Sequence, residues 1–309
     1  MAADATCSCG RSFVTADLCT GPAWVDRNPV LRFDGRAALD LLGRRLSFEA
    51  HPERECTGAS VADASGSLTH RACPRGRPAT RGRQCAECAA DDQFRFAHHA
   101  HRGGYVPAAL DDYLRSPHFV YVATFADGVS KVGTAVDHRK VGRLDEQGPL
   151  AATFVVAASD GRAARGFEDL VTDRLGLTQF KNRSSKVAAL LTATSRVEVL
   201  GLHEQTVSDS LDALATEPEA ELIRESWVPP AAQSDLLHAL DASSVGRYPH
   251  PLTEGEHCLT VRAMAGATAL VTVNDDDALF LADLGSLAGH RLRPGDVRSA
   301  PVPTQLGLF

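Results

Sequence analysis

The segment 118–168 constrains the fold of this 309-residue chain most, because three strand patterns and one helix pattern follow one another within it. The run 119–125 is apolar, aromatic and β-branched, which is typical of a strand, and Asp127-Gly128 is a hairpin turn signal. Residues 129–133 predict a second strand and 151–158 a third, and 162–175 carries apolar side chains at helical spacing. The segment therefore predicts a small α/β unit.

Polar residues of this unit stand in an order that is known from one nuclease family. Val120-Tyr121-Val122 lies on the first predicted strand and Lys131-Val132-Gly133 on the second, with Arg143 in the following connection and Glu168 on the helix. This order resembles the GIY-YIG nuclease superfamily, with the two tripeptides in the places of its two tyrosine motifs. Two departures stand out: the second tyrosine is Lys131, and ten positions separate Gly133 from Arg143.

The resemblance implies a catalytic set of four residues. Tyr121 would be the base or the hydroxyl that positions water, and Arg143 would stabilise the phosphoryl charge with its fork of donors. Glu168 would bind one Mg²⁺ or Mn²⁺, which commonly uses few carboxylates and keeps several waters. Lys131 would contact phosphate as a point charge, and it could act as a base only with a strongly lowered pKa, to which Arg143 could contribute.

Each of these residues also has a purely structural interpretation. Tyr121 could be an aromatic residue of a strand, Glu168 a solvated position on a helix, and the whole module an inactive member of the same fold. Asp145, Glu146 and Gln147 follow Arg143 by one turn and could orient it, and His138 and Arg139 could reach the same pocket.

Four cysteines upstream of this unit have the spacing of a metal site. Cys56 and Cys73 precede the C-x-x-C pair of Cys85 and Cys88, and thiolates at such positions can complete a tetrahedron around zinc. Between the first and the last cysteine, Val61 and Leu68 are the only aliphatic residues larger than alanine, so a metal crosslink gives this segment a reason to fold. A structural zinc ion is the prediction, because four thiolates leave no place for water, and a redox pair lacks its βαβ context.

Other cysteines and a group of arginines flank this predicted metal site. Cys7, Cys9 and Cys19 have poor spacing for zinc and are predicted to be unpaired thiols. The arginines lie in the loop that the metal would hold, where they form either a phosphate-contacting patch or a solvated loop. They are Arg71, Arg75, Arg77, Arg81 and Arg83.

A second resemblance covers most of the chain. Cys56-Thr-Gly, Cys73-Pro, Gln84-Cys85-x-x-Cys88, Lys131-Val-Gly-Thr and Arg143 with its acidic followers are similar, in that order, to motifs of a prokaryotic family of unknown function. The resemblance implies a zinc-like cysteine cluster beside a GIY-YIG-like core. The C-terminal β region departs from that pattern because it is acidic.

These patterns predict an α+β protein with three regions. They are a Cys-rich, zinc-ribbon-like part at 1–104, a GIY-YIG-like sheet with helices at 105–203, and an acidic helix with a β-rich part at 204–309. Further predictions are short strands before residue 50, helices at 107–115, 184–194 and 208–224, a strand at 197–202, and strands from 257 onward.

Charge and composition limit the classes of partner. Residues 204–309 hold sixteen Asp or Glu against six Arg and no Lys, so their net charge is −10. Because the net charge of the whole chain is −7, residues 1–203 carry +3. A basic front half permits DNA or RNA on one side of the molecule. No run approaches the apolar length of a membrane helix, the start lacks a secretory pattern, and a cytoplasmic location is the default expectation.

These patterns are compatible with two main classes of function and with a third alternative. The first is a divalent-metal-dependent nuclease or related phosphodiesterase with a structural zinc site. The second is a zinc-stabilised module that binds nucleic acid or protein on a catalytically degenerate nuclease fold. The third is small-molecule chemistry in the same pocket, because folds of this kind are reused.

Overall fold

A computed structural model describes residues 16–62, 68–97, 100–177, 183–192 and 194–302, and these form a mixed α+β structure. The strands of the described residues are β1 Asp17–Val25, β2 Asn28–Phe33, β3 Leu39–Asp40, β4 Arg45–Arg54, β5 Ala59–Ala62, β6 Leu68–Arg71, β7 His118–Thr124, β8 Ser130–Val136, β9 Ala151–Ala158, β10 Glu221–Ser226, β11 Val245–Arg247, β12 Gly255–Ala265, β13 Thr268–Val273, β14 Leu279–Asp283 and β15 His290–Pro294. The helices are α1 Ala86–Asp91, α2 Phe94–Ala97, α3 Ala108–Arg115, α4 Lys140–Gln147, α5 Gly161–Leu175, α6 Arg183–Leu190, α7 Arg196–Leu214 and α8 Ala231–Ala242.

The larger sheet joins the two ends of the described chain. Its nine strands lie in the order β11-β14-β13-β12-β4-β15-β1-β2-β3, and only β11 and β14 pair in parallel. The N-terminal β4 is inserted between two C-terminal strands, so that Leu46 lies opposite Leu259 and Ala50 lies opposite both Gly255 and Leu292. Strands of the predicted first and third regions therefore share one sheet and one apolar core.

The smaller sheet carries the segment that the sequence singled out. Its order is β10-β9-β7-β8, and every neighbouring pair is antiparallel. Because side chains alternate across a strand, Val120 and Val122 of β7 face α5 and α7, where they meet Phe167 and Val207. Tyr121 points to the opposite face of this sheet, among buried residues of α4 and β9 and the side chain of Trp227.

Local interactions at both ends fix the limits of α5, the helix that follows β9. Asp160 is the N-cap of α5, and its carboxylate accepts hydrogen bonds from the backbone N–H groups of Arg162 and Ala163, both at 2.8 Å. The helix ends at Gly176, whose φ of 63° is the left-handed conformation that glycine adopts at low cost. These caps set the register in which α5 presents Glu168.

A buried carboxylate attaches α4 to the larger sheet. Asp145 accepts two hydrogen bonds from Arg27, at 3.1 and 3.2 Å, and one from Nε1 of Trp227 at 3.0 Å. The Arg27 side chain comes from the turn between β1 and β2, where its own φ is 66°. Gly148 ends α4 and lies against the backbone of Gly266, so the orientation of α4 depends on both sheets.

The structure confirms most of the predicted elements of the central unit and of the C-terminal strands. It also confirms the short strands before residue 50 and the helix predicted at 107–115, which is α3. The helix predicted at 184–194 begins and ends earlier, as α6.

Two predictions between 197 and 224 are wrong. Residues 197–202 are helical and belong to α7, and 208–224 is not one helix, because α7 ends at Leu214 and β10 begins at Glu221. The side chains that α7 buries recur every three or four residues, from Val199 through His203 to Val207, whereas Val197 is 79% exposed. Exposed aliphatic residues between the buried ones produced the strand-like run. The predicted boundary between residues 203 and 204 falls inside this helix.

Within the described residues, none of the helices combines the length and the apolar character needed to span a bilayer.

Candidate functional site

The four predicted metal-binding cysteines lie together. The Sγ atoms of Cys56, Cys73, Cys85 and Cys88 all lie within 4.8 Å of one another, and Cys73 is the least buried of the four. A tetrahedral zinc site with Zn–S distances of about 2.3 Å would separate its sulfurs by about 3.8 Å, so these positions fit a metal ion with little movement. The backbone N–H groups of Gly58 and Cys88 point at two of the sulfurs, as is favourable for thiolates.

Local structure explains how the cysteines meet. Cys85 is the N-cap of α1, and its Sγ accepts from the N–H of Cys88 in the first turn of that helix. Cys56 follows β4, where its backbone N–H donates to the carbonyl of Arg77 at 2.7 Å. The turn after Cys56 passes through Gly58 at φ 99°, a conformation that other residues rarely adopt.

The remaining cysteines of the prediction are separate from this cluster. Cys7 and Cys9 lie outside the described residues. Cys19 is fully buried in the core of the larger sheet, and this burial raises the pKa of its thiol to about 12. Cys19 is an unpaired thiol, as predicted, but it lies on β1 and not in the loosely ordered start that was expected for it.

The five arginines near the cysteines differ in their partners. Arg71, Arg75 and Arg77 form ion pairs with Asp91 and Glu87, the acidic residues of α1. Arg81 is exposed, and its backbone forms an antiparallel β-bridge with Gln84 across a tight turn. Only Arg83 of the five reaches the cleft described below. Three of the five charges are therefore partly compensated beside the metal site.

Tyr121, Lys131, Arg143 and Glu168 are close enough to affect one another electrostatically. Burial raises the pKa of the Tyr121 hydroxyl, Arg143 opposes this rise through its charge and a hydrogen bond, and Glu168 adds to it. The pKa of Lys131 also responds to the charges of Arg143 and Glu168. The fold therefore brings the four predicted residues into one neighbourhood, although three of them are buried and only Arg143 is exposed.

The glycine of the second motif makes room for the tyrosine of the first. Tyr121 and Gly133 lie directly opposite each other on β7 and β8. A Cβ atom at Gly133 would lie 2.5 Å from the Tyr121 hydroxyl oxygen and 2.6 Å from the adjacent ring carbon. The ring therefore lies across the glycine, and Gln147 donates a hydrogen bond of 2.9 Å to the hydroxyl. The spacing of the two motifs thus has a direct packing reason.

Lys131 is an amine whose environment disfavours its charge. Only 7% of the residue is exposed, and desolvation together with the charges of Arg143 and Lys186 lowers its pKa from 10.5 to about 7. Glu168 opposes this shift only in part. Near neutral pH a substantial fraction of the Lys131 side chains is therefore neutral and able to accept a proton.

Glu168 is placed differently from a typical ligand of Mg²⁺. Its side chain is 4% exposed, and Oε2 accepts a hydrogen bond of 2.5 Å from Nη1 of Arg165, three residues earlier on α5. Burial raises the pKa of this carboxyl, which Arg165 opposes. One oxygen is thus occupied by a cation, and Lys131 lies nearby, so the residues as placed fit an anion better than a divalent cation.

The residues that follow Arg143 have partners other than its guanidinium. Asp145 accepts from Arg27 and Trp227, Glu146 pairs with Arg139 at 2.7 Å, and Gln147 donates to Tyr121. They therefore orient α4, the loop before it and the tyrosine. His138 and Arg139 share a cavity with Arg143, but Lys131 is not among the residues that line it, so they reach the predicted pocket only at Arg143.

Arg143 lies between two cavities of the cleft that separates the two sheets. One cavity, of about 380 Å³, is lined by Lys131, Arg143, Lys186 and Arg83, with Glu146 and Asp283 as its acidic residues. Sequence reasoning did not assign Lys186 or Arg165 to the site. Arg165 could have been found from its i, i+3 position relative to Glu168, whereas Lys186 reaches the cleft only through the packing of α6, where its amine donates to the carbonyl of Gln147 at 2.6 Å.

Comparisons of the chain with family models, with curated proteins and with solved structures found no match.

Proposed function

We propose that this protein is a nuclease or a related phosphodiesterase, with its reactive site at Tyr121, Lys131, Arg143 and Glu168. The observation that carries the proposal is that a buried amine, Lys131, and the exposed guanidinium of Arg143 line one cleft, where burial and neighbouring cations lower the pKa of the amine to about 7. A proton acceptor active near neutral pH and a fork of donors for phosphate oxygens are two requirements of phosphodiester hydrolysis.

In the proposed reaction, Arg143 holds two oxygens of the phosphodiester from the open side of the cleft. The neutral amine of Lys131 accepts a proton from the attacking water as the new P–O bond forms. The bond to the leaving oxygen breaks, and the leaving alkoxide takes a proton from solvent water. Tyr121, held by Gln147, keeps its hydroxyl at the base of the site, and Glu168 fixes Arg165 beside it. Lys186 adds positive charge at the same wall.

A divalent-metal-dependent form of this reaction requires a rearrangement at Glu168. Mg²⁺ or Mn²⁺ would have to reach a carboxylate whose side chain is 4% exposed and whose Oε2 is held by Arg165, and the ion would then stabilise the leaving oxygen. The reaction described above uses only side chains of the protein. Cleavage assays with chelator, with Mg²⁺ and with Mn²⁺ measure whether the ion is required.

We assign the four-cysteine cluster to a structural Zn²⁺ ion. Four sulfurs within 4.8 Å, three of them buried, provide a closed set of ligands without a place for substrate. The ion would fix the loop that carries Arg83 against the cleft, and DNA or RNA is the partner that suits the cationic wall.

The test is cleavage of end-labelled DNA and RNA, single-stranded and double-stranded, by the wild-type protein and by Arg143→Ala. The matched control is Arg224→Ala, because Arg224 lies on β10, at the opposite edge of the same sheet from β8. The proposal expects a loss of at least about 100-fold for the first variant and none for the control. Each reaction is run with chelator, with Mg²⁺ and with Mn²⁺. Absence of cleavage under all conditions, or equal rates for both variants, would refute the proposal.

A second candidate is a catalytically degenerate module that binds nucleic acid. The observation in its favour is the ion pair of Glu168 with Arg165, which removes the carboxylate from solvent. This candidate predicts salt-dependent binding without cleavage, weakened by substitution of Arg143 and Arg83. Binding that is indifferent to salt would contradict it.

A further inference from the structure

The second cavity beside Arg143 has a chemical character of its own. It has a volume of about 320 Å³ and lies between α3, the start of α5 and the edge strand β8. Among the described residues its walls contain four arginines and three histidines but neither aspartate nor glutamate. A wall whose charged side chains are all cations fits an anion rather than a cation.

Three guanidinium groups act on one hydroxyl within this cavity. The charges of Arg139, Arg165 and Arg143 all lower the pKa of Tyr113, against the larger opposing effect of its burial. Their carboxylate partners, Glu146 and Glu168, do not line the cavity. The guanidinium groups and the hydroxyl are therefore arranged around a common space of about 320 Å³.

A buried histidine supplies a different kind of group to the same space. His118 is 4% exposed, and its Nδ1 donates a hydrogen bond of 2.7 Å to the carbonyl of Ser116. Its other edge, with Nε2, lies so close to Gly161 that a Cβ at that glycine would be 3.0 Å from the ring. In the described part of the chain Nε2 has no hydrogen-bond partner, and in the neutral ring it is an acceptor.

Because Nε2 of His118 accepts a hydrogen bond, the cavity can discriminate between phosphodiesters and phosphomonoesters. A phosphodiester carries no proton that it could donate to Nε2. A phosphomonoester has a second pKa near 6 and therefore offers a P–OH group in its monoanionic form, and it can donate that proton to the imidazole. A protonated imidazole would in turn match the dianion.

From this arrangement we infer that the cavity lined by Tyr113, His118, Arg139 and Arg165 is a binding site for a phosphomonoester, such as a nucleoside monophosphate or the phosphorylated end of a strand. Arg143 is shared with the proposed reactive site, so a phosphate end bound here would place the adjoining strand next to that site. The inference itself does not require that the protein hydrolyses phosphodiesters.

The test is isothermal titration with a nucleoside 5′-monophosphate, which contains no phosphodiester bond, and with the corresponding nucleoside. The wild-type protein is expected to bind the monophosphate at least tenfold more tightly than the nucleoside. Arg139→Ala, at an exposed residue, is expected to lose at least tenfold in affinity, and His118→Gln a comparable amount. Arg224→Ala is the control and should bind as the wild type does, and circular dichroism of each variant verifies its folding.

Further arms identify the source of the phosphate. Inorganic phosphate that competes with the monophosphate supports the site, because it shows that the phosphoryl group is recognised. A 5′-phosphorylated oligonucleotide that binds more tightly than its 5′-hydroxyl form shows that strand ends are accepted. Equal affinity for nucleoside and monophosphate, or affinity unchanged by both Arg139→Ala and His118→Gln, overturns the inference. Phosphate binding without cleavage would refute only the proposed hydrolysis.

Discussion

Replacing Lys131 by methionine should make the protein more stable while it removes the proposed base. The side chain is almost fully buried, and its pKa falls from 10.5 in the unfolded chain to about 7 in the folded one. Because one pKa unit corresponds to 1.36 kcal/mol, keeping the charged amine in this site destabilises the fold by about 5 kcal/mol at pH 6. Methionine has a similar length and carries no charge.

The stability difference between the variant and the wild type should change with pH in a defined direction. The unfolded chain binds the lysine proton more tightly than the folded chain, so wild-type stability rises relative to the variant between pH 7 and pH 10.5. The advantage of Lys131→Met should thus fall from about 5 kcal/mol at pH 6 to about 2 kcal/mol at pH 9. Glu168 loses a favourable neighbour in the variant, which makes these figures upper values.

Urea unfolding can measure this difference through the fluorescence of Trp24 and Trp227, both of which are buried. The matched control is Lys140→Met, because the amine of Lys140 pairs with Glu225 at the surface, at 2.8 Å, and its removal should not stabilise the fold. A variant at position 131 that is less stable than the wild type at pH 6, or an advantage that is the same at pH 6 and pH 9, would refute the reasoning.

Three further predictions concern other parts of the structure. Gly133→Ala should lower the free energy of unfolding by roughly 1–3 kcal/mol, since its methyl group would overlap the ring of Tyr121; an unchanged melting temperature would contradict this packing. Removing metal with a chelator, or changing Cys85 to serine, should expose the segment around the cysteines to proteolysis while the strands of both sheets stay protected, and an unchanged cleavage pattern would argue against a structural ion. Asp145→Ala should cost about 1–3 kcal/mol in urea unfolding, because it leaves the buried indole N–H of Trp227 without its acceptor and Arg27, which water can still reach, without its partner; a loss below 1 kcal/mol would show that this carboxylate does not hold α4.

The central unit could be predicted because its information is local. Alternating apolar residues, the Asp127-Gly128 turn and the cap at Asp160 each specify an element within a few positions, and the structure places strands and a helix there. The cysteine cluster was predictable for a related reason, because the C-x-x-C pair is a short-range signal. In both cases no distant part of the chain had to be known.

The remaining features depend on contacts between distant segments. The insertion of β4 between β12 and β15 joins residues more than 200 positions apart, and the sequence of either segment alone does not predict which strand it pairs with. The same holds for Arg27 and Asp145, which are separated by 118 positions. The arginines near the cysteines were predicted as one patch because their charges are adjacent in sequence, whereas the structure turns three of them toward α1.

The protonation of Lys131 and the ion pairing of Glu168 also could not be predicted from the sequence. Lys131 could be predicted as a phosphate contact, but its burial beside Arg143 and Lys186, and hence its pKa of about 7, follow from the packing of three elements. The ion pair between Arg165 and Glu168 has a helical spacing that was visible, yet its burial was not. That burial changes the interpretation of Glu168 from a metal ligand to a partner of an arginine.

The most direct test of the proposed reactive site is the pH dependence of single-turnover phosphodiester cleavage by the wild-type protein and by Lys131→Met. If the neutral amine of Lys131 is the base, the wild-type rate should rise tenfold per pH unit below pH 7 and become constant above it, since deprotonation is complete there. The variant should be at least about 100-fold slower. A wild-type rate that does not change between pH 5.5 and pH 8.5, or a variant that cleaves at the wild-type rate, would contradict the account.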